Sequence, residues 1–277
     1  MSTTRRGLGE RLWAIAIWTM VGFFVVNLLA LIGSVVVNSF GTRWFNTWLP
    51  AGYTTQWYVL AWNEFGLPDI LVVTLEVVGA VVLLSGLLGV PAAYAMARRN
   101  FPGKQAVMLL FLLPLLVPPI TYGIPLATVL YRAQLAGTIW GVILANLVPS
   151  LPFVILIMIP FVEQIDPRVE AAARVFGAGT MRLFVQVLVP LLTPGILAAL
   201  LLVLVRTIAM FELTFLTAGS TSQTLVVALY YAVFAAGVRP GQSIDAMAVV
   251  YMVTTLIWLL IALRFVNPTQ IVTRAKR

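Results

Sequence analysis

Two groups of residues in this chain have types and spacing suited to chemistry. The first is a set of ionisable side chains inside long apolar runs, namely Glu76, Arg206 and Glu212, with Tyr122 and Phe211 as weaker candidates in similar settings. Charge is costly inside a membrane, so these groups point to a solute path or to a structural ion pair. Glu212 suits a path lining and Glu76 a wet outer vestibule; Arg206 suits either subunit contact or an anionic solute. On one helix, the six residues between Arg206 and Glu212 put them on opposite faces at about 100° each. Each then needs a partner on another span, on a second membrane subunit or in a wet cavity. The second group lies between Asp166 and Gln186 and includes Glu170, Ala171, Ala172, Arg174, Gly177 and Ala178. Its small and charged residues suit contact with another protein. Ordinary catalysis is poorly provided for: with no cysteine and no histidine, thiolate nucleophiles, thiolate metal sites and the commonest general base are all excluded.

The elements that must position these residues are membrane spans. The chain has 277 residues, of which 61% are hydrophobic and 9% charged, and its mean hydropathy is +1.03. Repeated apolar runs of about 20 residues are what membrane-spanning helices require. Six spans are predicted, at about 12–37, 70–96, 106–130, 139–161, 187–217 and 246–265. The fold class is therefore all-α and polytopic. Arg5, Arg6 and Arg11 precede the first span without a small-residue cleavage site, which reads as a retained anchor. Arg5, Arg6, Arg11, Arg98, Arg99, Lys104, Arg168, Arg174, Arg182, Arg264, Arg274, Lys276 and Arg277 fall on one side of such a layout. Only Arg43, Arg132 and Arg239 fall on the other, so both termini and the 162–186 loop are predicted to be cytoplasmic. The net charge of +8 is spread in short clusters between spans, which fits orientation better than a nucleic-acid stripe.

Two features stand out within this layout. The 38–68 segment carries Trp44, Trp48, Tyr53, Trp57, Tyr58 and Trp62, suited to an interfacial layer or to a periplasmic partner. The third span holds Pro114, Pro118, Pro119 and Pro125 and must kink or break; the fourth repeats the theme with Pro149, Pro152 and Pro160. Such prolines serve packing, or they line a path that opens and closes.

The 162–186 loop has its own local logic. Asp166 suits a helix N-cap and Pro167 the first helical position. Glu170 and Arg174 are spaced for a helical pair, and Ala171, Ala172 and Ala173 favour helix while adding little bulk. Gly177 is placed to end that helix, and Thr180 to cap a second one running toward Pro190. A small-faced helix, a glycine turn and a second helix feeding a span make a docking device, or a solvated connector.

These residues also carry a resemblance. "EAAARVFGA" followed by "VLVPLLTPGI" resembles the EAA loop in the permease subunits of binding-protein-dependent type I ABC importers. "TLEVVGAVVLLSGLLGVPAAYAMARRNFPGK" and "FELTFLTAGSTSQTLVVALYYAV" are similar to further segments of that family, so the likeness covers roughly residues 70–265. It implies a cytoplasmic segment at 1–11, a first span and aromatic segment at 12–69, a permease domain at 70–265 and a basic tail at 266–277. It also implies that Glu170, Ala171, Ala172, Arg174, Gly177 and Ala178 form a coupling helix seated on an ATPase subunit. The partners implied are two ATP-binding subunits, a second homologous permease or a self copy, a substrate-binding protein and the lipid of a bacterial inner membrane; no nucleic acid is among them. ATP and magnesium belong to the ATPase, since this chain has no P-loop and is expected to bind no cofactor and to be no enzyme. One departure is specific: the family's glutamate stands six residues before the glycine, whereas Glu170 stands seven before Gly177 and Ala171 takes the expected place. At about 100° per residue, this shift turns the salt bridge that the resemblance implies from Glu170 to the ATPase.

The nearest likeness is to the polyamine branch, carried by "WYVLAWNE", "LTAGSTSQTL" and "AAGVRPG". Glu76 and Glu212 suit a cationic solute. Arg206 does not, and Phe211 stands where that branch often carries a second acid. Sugars or opine-like solutes are the alternative within the superfamily. A stand-alone ion-coupled carrier and a purely structural membrane protein are the alternatives outside it, and dependence on ATP separates the importer from both.

Overall fold

The structure is a computed structural model that describes residues 8–45, 47–234 and 240–265. The basic residues Arg5, Arg6, Arg239, Arg274, Lys276 and Arg277, and the 266–277 tail, lie outside the described residues. The described part is all-helical apart from one isolated bridge between Gly41 and Tyr53. It divides into two compact units, one within Met1–Phe65 and Ala236–Val250, the other within Gly66–Ala235 and Tyr251–Arg277.

The first unit contains α1 (Leu8–Phe40), α2 (Gln56–Glu64) and the start of α12 (Gly241–Phe265). α1 has 33 residues and spans about 50 Å, longer than the roughly 30 Å hydrocarbon core of a bilayer. Its side chains from Leu12 to Leu31 are mostly exposed and apolar, the surface lipid accepts. In the aromatic segment that follows, Trp44, Trp57 and Tyr58 spend their polar edges on their own chain, while Trp48, Tyr53 and Trp62 are exposed. Trp57 Nε1 donates to the Gly41 carbonyl and Trp44 Nε1 to Asn38 Oδ1, both at 2.7 Å. Ser39 and Tyr58 hydroxyls lie 2.7 Å apart. Asn38 Nδ2 also donates to Asp245 Oδ2, tying α1 to α12.

The second unit is the helical bundle. Its elements are α3 (Leu67–Arg98), α4 (Lys104–Leu116), α5 (Pro119–Arg132), α6 (Ile139–Glu163), α7 (Pro167–Val175), α8 (Thr180–Arg182), α9 (Val189–Ile208), α10 (Glu212–Thr217) and α11 (Leu225–Phe234), with the end of α12. α3, α6 and α9 pack around one core of Val77, Val81, Ile155, Met158, Leu192 and Val203, among others. Small residues let these helices approach closely, as membrane packing favours. A Cβ on Gly89 would sit 2.8 Å from Val154, and one on Gly195 would sit 2.6 Å from the Phe161 ring.

By length and apolarity, five of the described helices can cross a membrane, or six if α4 and α5 form one span. Those two are bent by 102°. Sequence explains the break, because a residue before proline is driven to extended backbone. Val117 (ψ 133°) and Pro118 (ψ 134°) each precede a proline, and the helix stops there. Pro149, Pro152 and Pro160 do not have that effect: α6 runs continuously through all three.

The predicted fifth span needs correction at both ends. The helix runs Thr180–Ile208 rather than 187–217, and Glu212 opens a separate short helix, α10. Gly179, not Thr180, is the N-cap, and it is extended (φ −68°, ψ 167°). Between α8 and α9, residues Leu183–Leu188 form a π-helical segment. Pro190 accounts for it, since its missing amide leaves the regular ladder broken one turn earlier. The Val189 amide instead reaches back five residues to the Phe184 carbonyl.

Candidate coupling loop and solute path

α7 is built by local chemistry. The Asp166 side chain accepts from the Arg168 amide at 2.9 Å and caps the helix, while Pro167 occupies the first helical position. At the other end, Gly177 takes φ +82°, a conformation that costs other L-residues energy. Its amide donates to the Arg174 carbonyl at 2.9 Å, and the Ala178 amide donates to the Ala173 carbonyl at 3.0 Å. That pair of bonds is a Schellman ending, which satisfies carbonyls the helix would otherwise leave free.

The faces of α7 divide sharply. Glu170 and Ala173 turn toward the bundle, and Ala173 packs against its core. Arg168, Ala171, Ala172, Arg174, Val175 and Phe176 are exposed, with Val175 at 85% and Phe176 at 90%. The outward surface is therefore small at Ala171 and Ala172, basic at Arg168 and Arg174, and apolar at its tip.

Glu170 does not pair with Arg174. Its Oε1 accepts from Arg98 Nε at 2.7 Å and its Oε2 accepts from the Tyr94 hydroxyl at 2.6 Å. This is the only ion pair among the described residues, and its side chains are 16% and 12% exposed. Arg98 Nη2 also donates to the Ile165 carbonyl, just before the cap of α7. The Tyr94 ring meets Phe184 of the π-helical segment edge-on, with centroids 5.8 Å apart. Local spacing gives no sign of this, because Arg98 and Tyr94 lie 72 and 76 residues before Glu170.

In the membrane half of the same unit, Tyr122 lies within electrostatic reach of both Arg206 and Glu212. Its hydroxyl donates to the Pro114 carbonyl at 3.4 Å, across the α4–α5 break. The Arg206 guanidinium lies 5.3 Å from the centroid of the Phe153 ring, a cation–π contact with α6. Arg206 and Glu212 are not on one helix, because Ala209–Met210–Phe211 interrupts it; the opposite-face reading therefore does not apply. Neither makes an ion pair among the described residues. Phe211 joins an aromatic cluster, 5.1 Å from Phe215 and 5.0 Å from Tyr230 between ring centroids. Glu76 is exposed on α3, with no hydrogen bond or ion pair among the described residues.

Sequence reasoning missed Phe153, Tyr230 and the buried pair Asn146–Thr214. Asn146 Nδ2 donates to the Val142 carbonyl at 2.9 Å and to Thr214 Oγ1 at 3.2 Å, pinning α10 to α6. A lone amide within the apolar run 139–161 is a signal that could have found it; Phe153 offers no such signal.

Residues 85–272 match the family described as binding-protein-dependent transport system inner membrane component. The chain belongs to this family. It is a multi-pass inner-membrane component, and five or six of the described helices are long and apolar enough to cross a membrane. Over 186 residues it is 30% identical to the putative molybdenum transport system permease protein YvgM of Bacillus subtilis, covering 61% of this chain and 81% of that one. Over 149 residues it is 36% identical to the probable sulfate transport system permease protein cysT of Chlorokybus atmophyticus, covering 50% and 52%. Its fold is that of a bacterial ABC transporter involved in the import of the acidic polysaccharide alginate, at TM-score 0.79 and 17% identity, covering 96% of this chain and 100% of that one.

Proposed function

We infer that this family member is the permease subunit of an ATP-driven importer, and that its cargo is a small anionic solute. The observation that carries the importer reading is α7, a capped helix held to the bundle on one face and presenting two alanines, two arginines and an apolar tip on the other. Such a face suits close approach by a soluble ATPase subunit. Ala171, Ala172, Val175 and Phe176 would make the contact, Arg174 would set its register, and Gly177 and Ala178 would shape the turn. With the basic loops on the cytoplasmic side, α7 and both termini face the ATPases. Two ATP-binding subunits, which hold ATP and magnesium, would act on this chain and on a second permease, homologous or identical. A binding protein would deliver solute from outside.

The cargo assignment follows from Arg206. It is a guanidinium in the last turn of a membrane-crossing helix, held against an aromatic face and without a carboxylate partner among the described residues, so an anion is the complement it lacks. Relatives named for molybdenum and sulfate transport support an oxyanion. A polyamine-like cation, the first expectation from sequence, rests on Glu76 and Glu212 and gains nothing from these relatives.

Uptake of labelled molybdate, sulfate and putrescine tests the assignment in cells with and without the chain, and with Arg206→Gln. Oxyanion uptake that needs the chain and collapses in the variant is the expected result. Chain-dependent putrescine uptake that survives Arg206→Gln would return the cargo to the polyamines. Chain-dependent sugar uptake that survives it would place the cargo among the neutral solutes.

A further inference from the structure

Glu170 is the acidic residue of the docking helix, yet both of its oxygens face the helix's own chain. Oε1 is held by Arg98 at 2.7 Å and Oε2 by Tyr94 at 2.6 Å. Arg98 and Tyr94 are four apart on α3 and so share one face of it. Arg98 closes the arrangement by donating to the Ile165 carbonyl, which binds the linker into α7 as well as α7 itself. The helical partner that spacing offers, Arg174, is left exposed, with no ion pair among the described residues.

α7 has two covalent routes into the bundle. One runs back through Ile165 to α6. The other runs forward through Gly177, Ala178 and Gly179 to α8, a turn with two glycines whose Cβ positions no neighbouring group packs against within 4 Å. Beyond it comes the π-helical segment Leu183–Leu188, a departure from the regular ladder. Displacement of α7 would be partly absorbed along that route. The side-chain route is short and well bonded, and it leads to α3, which packs on both α6 and α9.

We propose that Glu170, Arg98 and Tyr94 form a latch that makes α7 and α3 move together, so that α3 carries ATPase movement into the membrane. Glu170 is then a positioning residue that acts through α3 and makes no contact with the ATPase. The one-residue shift of the acid relative to Gly177 has a physical meaning here: it turns the carboxylate inward and leaves Ala171 on the docking face. This inference rests on the proposed docking of α7 to an ATPase.

The absence of native cysteine permits a direct test. A Leu87→Cys variant, at an exposed position on α3, is labelled with an environment-sensitive fluorophore and purified with its co-purifying ATPase. Emission is compared before and after ATP with vanadate. With the latch intact, the label responds to nucleotide. Glu170→Gln and Arg98→Ala should each lower the response about tenfold while the ATPase still co-purifies, and the double variant should be no worse than either alone. Arg98→Lys should retain much of the response, and Tyr94→Phe should lose part of it. These milder variants separate latch loss from misfolding.

An unchanged response in Glu170→Gln and Arg98→Ala, with the ATPase present, would overturn the latch alone. Recovery of no ATPase with the wild-type chain would overturn the docking reading and the latch with it.

Discussion

Replacing Gly177 by alanine isolates the energetics of the docking helix from everything around it. Gly177 sits at φ +82°, and a Cβ there would meet nothing within 4 Å, so alanine causes no clash and the cost is purely conformational. Holding an L-residue in the left-handed region costs roughly 1–2 kcal/mol. Alanine returns about 0.4–1 kcal/mol by restricting the unfolded chain. The net effect is a loss of about 1 kcal/mol, concentrated on the two Schellman hydrogen bonds at Gly177 and Ala178. At about 1.4 kcal/mol per tenfold, local opening rises roughly fivefold. Gly179 is the built-in control: it is equally open but extended, so Gly179→Ala costs only the N-cap preference of α8 and leaves the bonds that end α7 untouched. Hydrogen exchange of peptides covering 170–178 reads the difference directly. The expected order is Gly177→Ala fastest, Gly177→Asn intermediate, and Gly179→Ala indistinguishable from wild type. Equal acceleration by Gly177→Ala and Gly179→Ala, or none by either, would refute this reasoning.

Other outcomes follow from the same structure. Gly89→Val forces a branched side chain onto Val154, whose atoms lie 2.8 Å from the Cβ position; overpacking of about 1–3 kcal/mol should appear as a lower melting temperature in detergent. Gly79→Ala, also on α3 but open, should not lower it. Phe176→Ser removes the most exposed apolar side chain of the α7 tip, so melting should be nearly unchanged. ATPase recovery with Phe176→Ser should nevertheless fall about tenfold or more, as loss of a central apolar anchor does. Asp166→Ala deletes the α7 cap and should cost about 1 kcal/mol, measured as faster exchange in the first turn of α7.

What the sequence disclosed was chiefly local. Hydropathy located the first, second, fourth and sixth spans within about five residues, because each must satisfy its own backbone in lipid. Asp166, Pro167 and Gly177 act as their types suggest, since caps and turns depend on immediate neighbours. The fifth span was misread at both ends for equally physical reasons. Thr180, Arg182 and Gln186 dilute the apolarity where the helix begins, and nothing in Ala209–Met210–Phe211 announces a break. Proline was an ambiguous guide: the Pro118–Pro119 pair stops a helix, while the separated prolines of α6 do not. The partners of Glu170 were illegible from spacing, which favours Arg174 over residues on a distant helix. Phe153 beneath Arg206 was hidden in the same way, because only tertiary packing brings them together.

The most direct test of coupling through α7 is a gentle detergent pull-down of the tagged chain from its native membrane, followed by an ATPase assay. Wild type is compared with a chain whose exposed α7 face is blocked by Ala171→Arg and Ala172→Arg, which leave the latch residues in place. Coupling predicts an ATP-hydrolysing subunit recovered with the wild type and lost with the blocked face, while the chain itself inserts and melts normally. Recovery of the wild-type chain alone, or equal ATPase recovery with the blocked face, would contradict it.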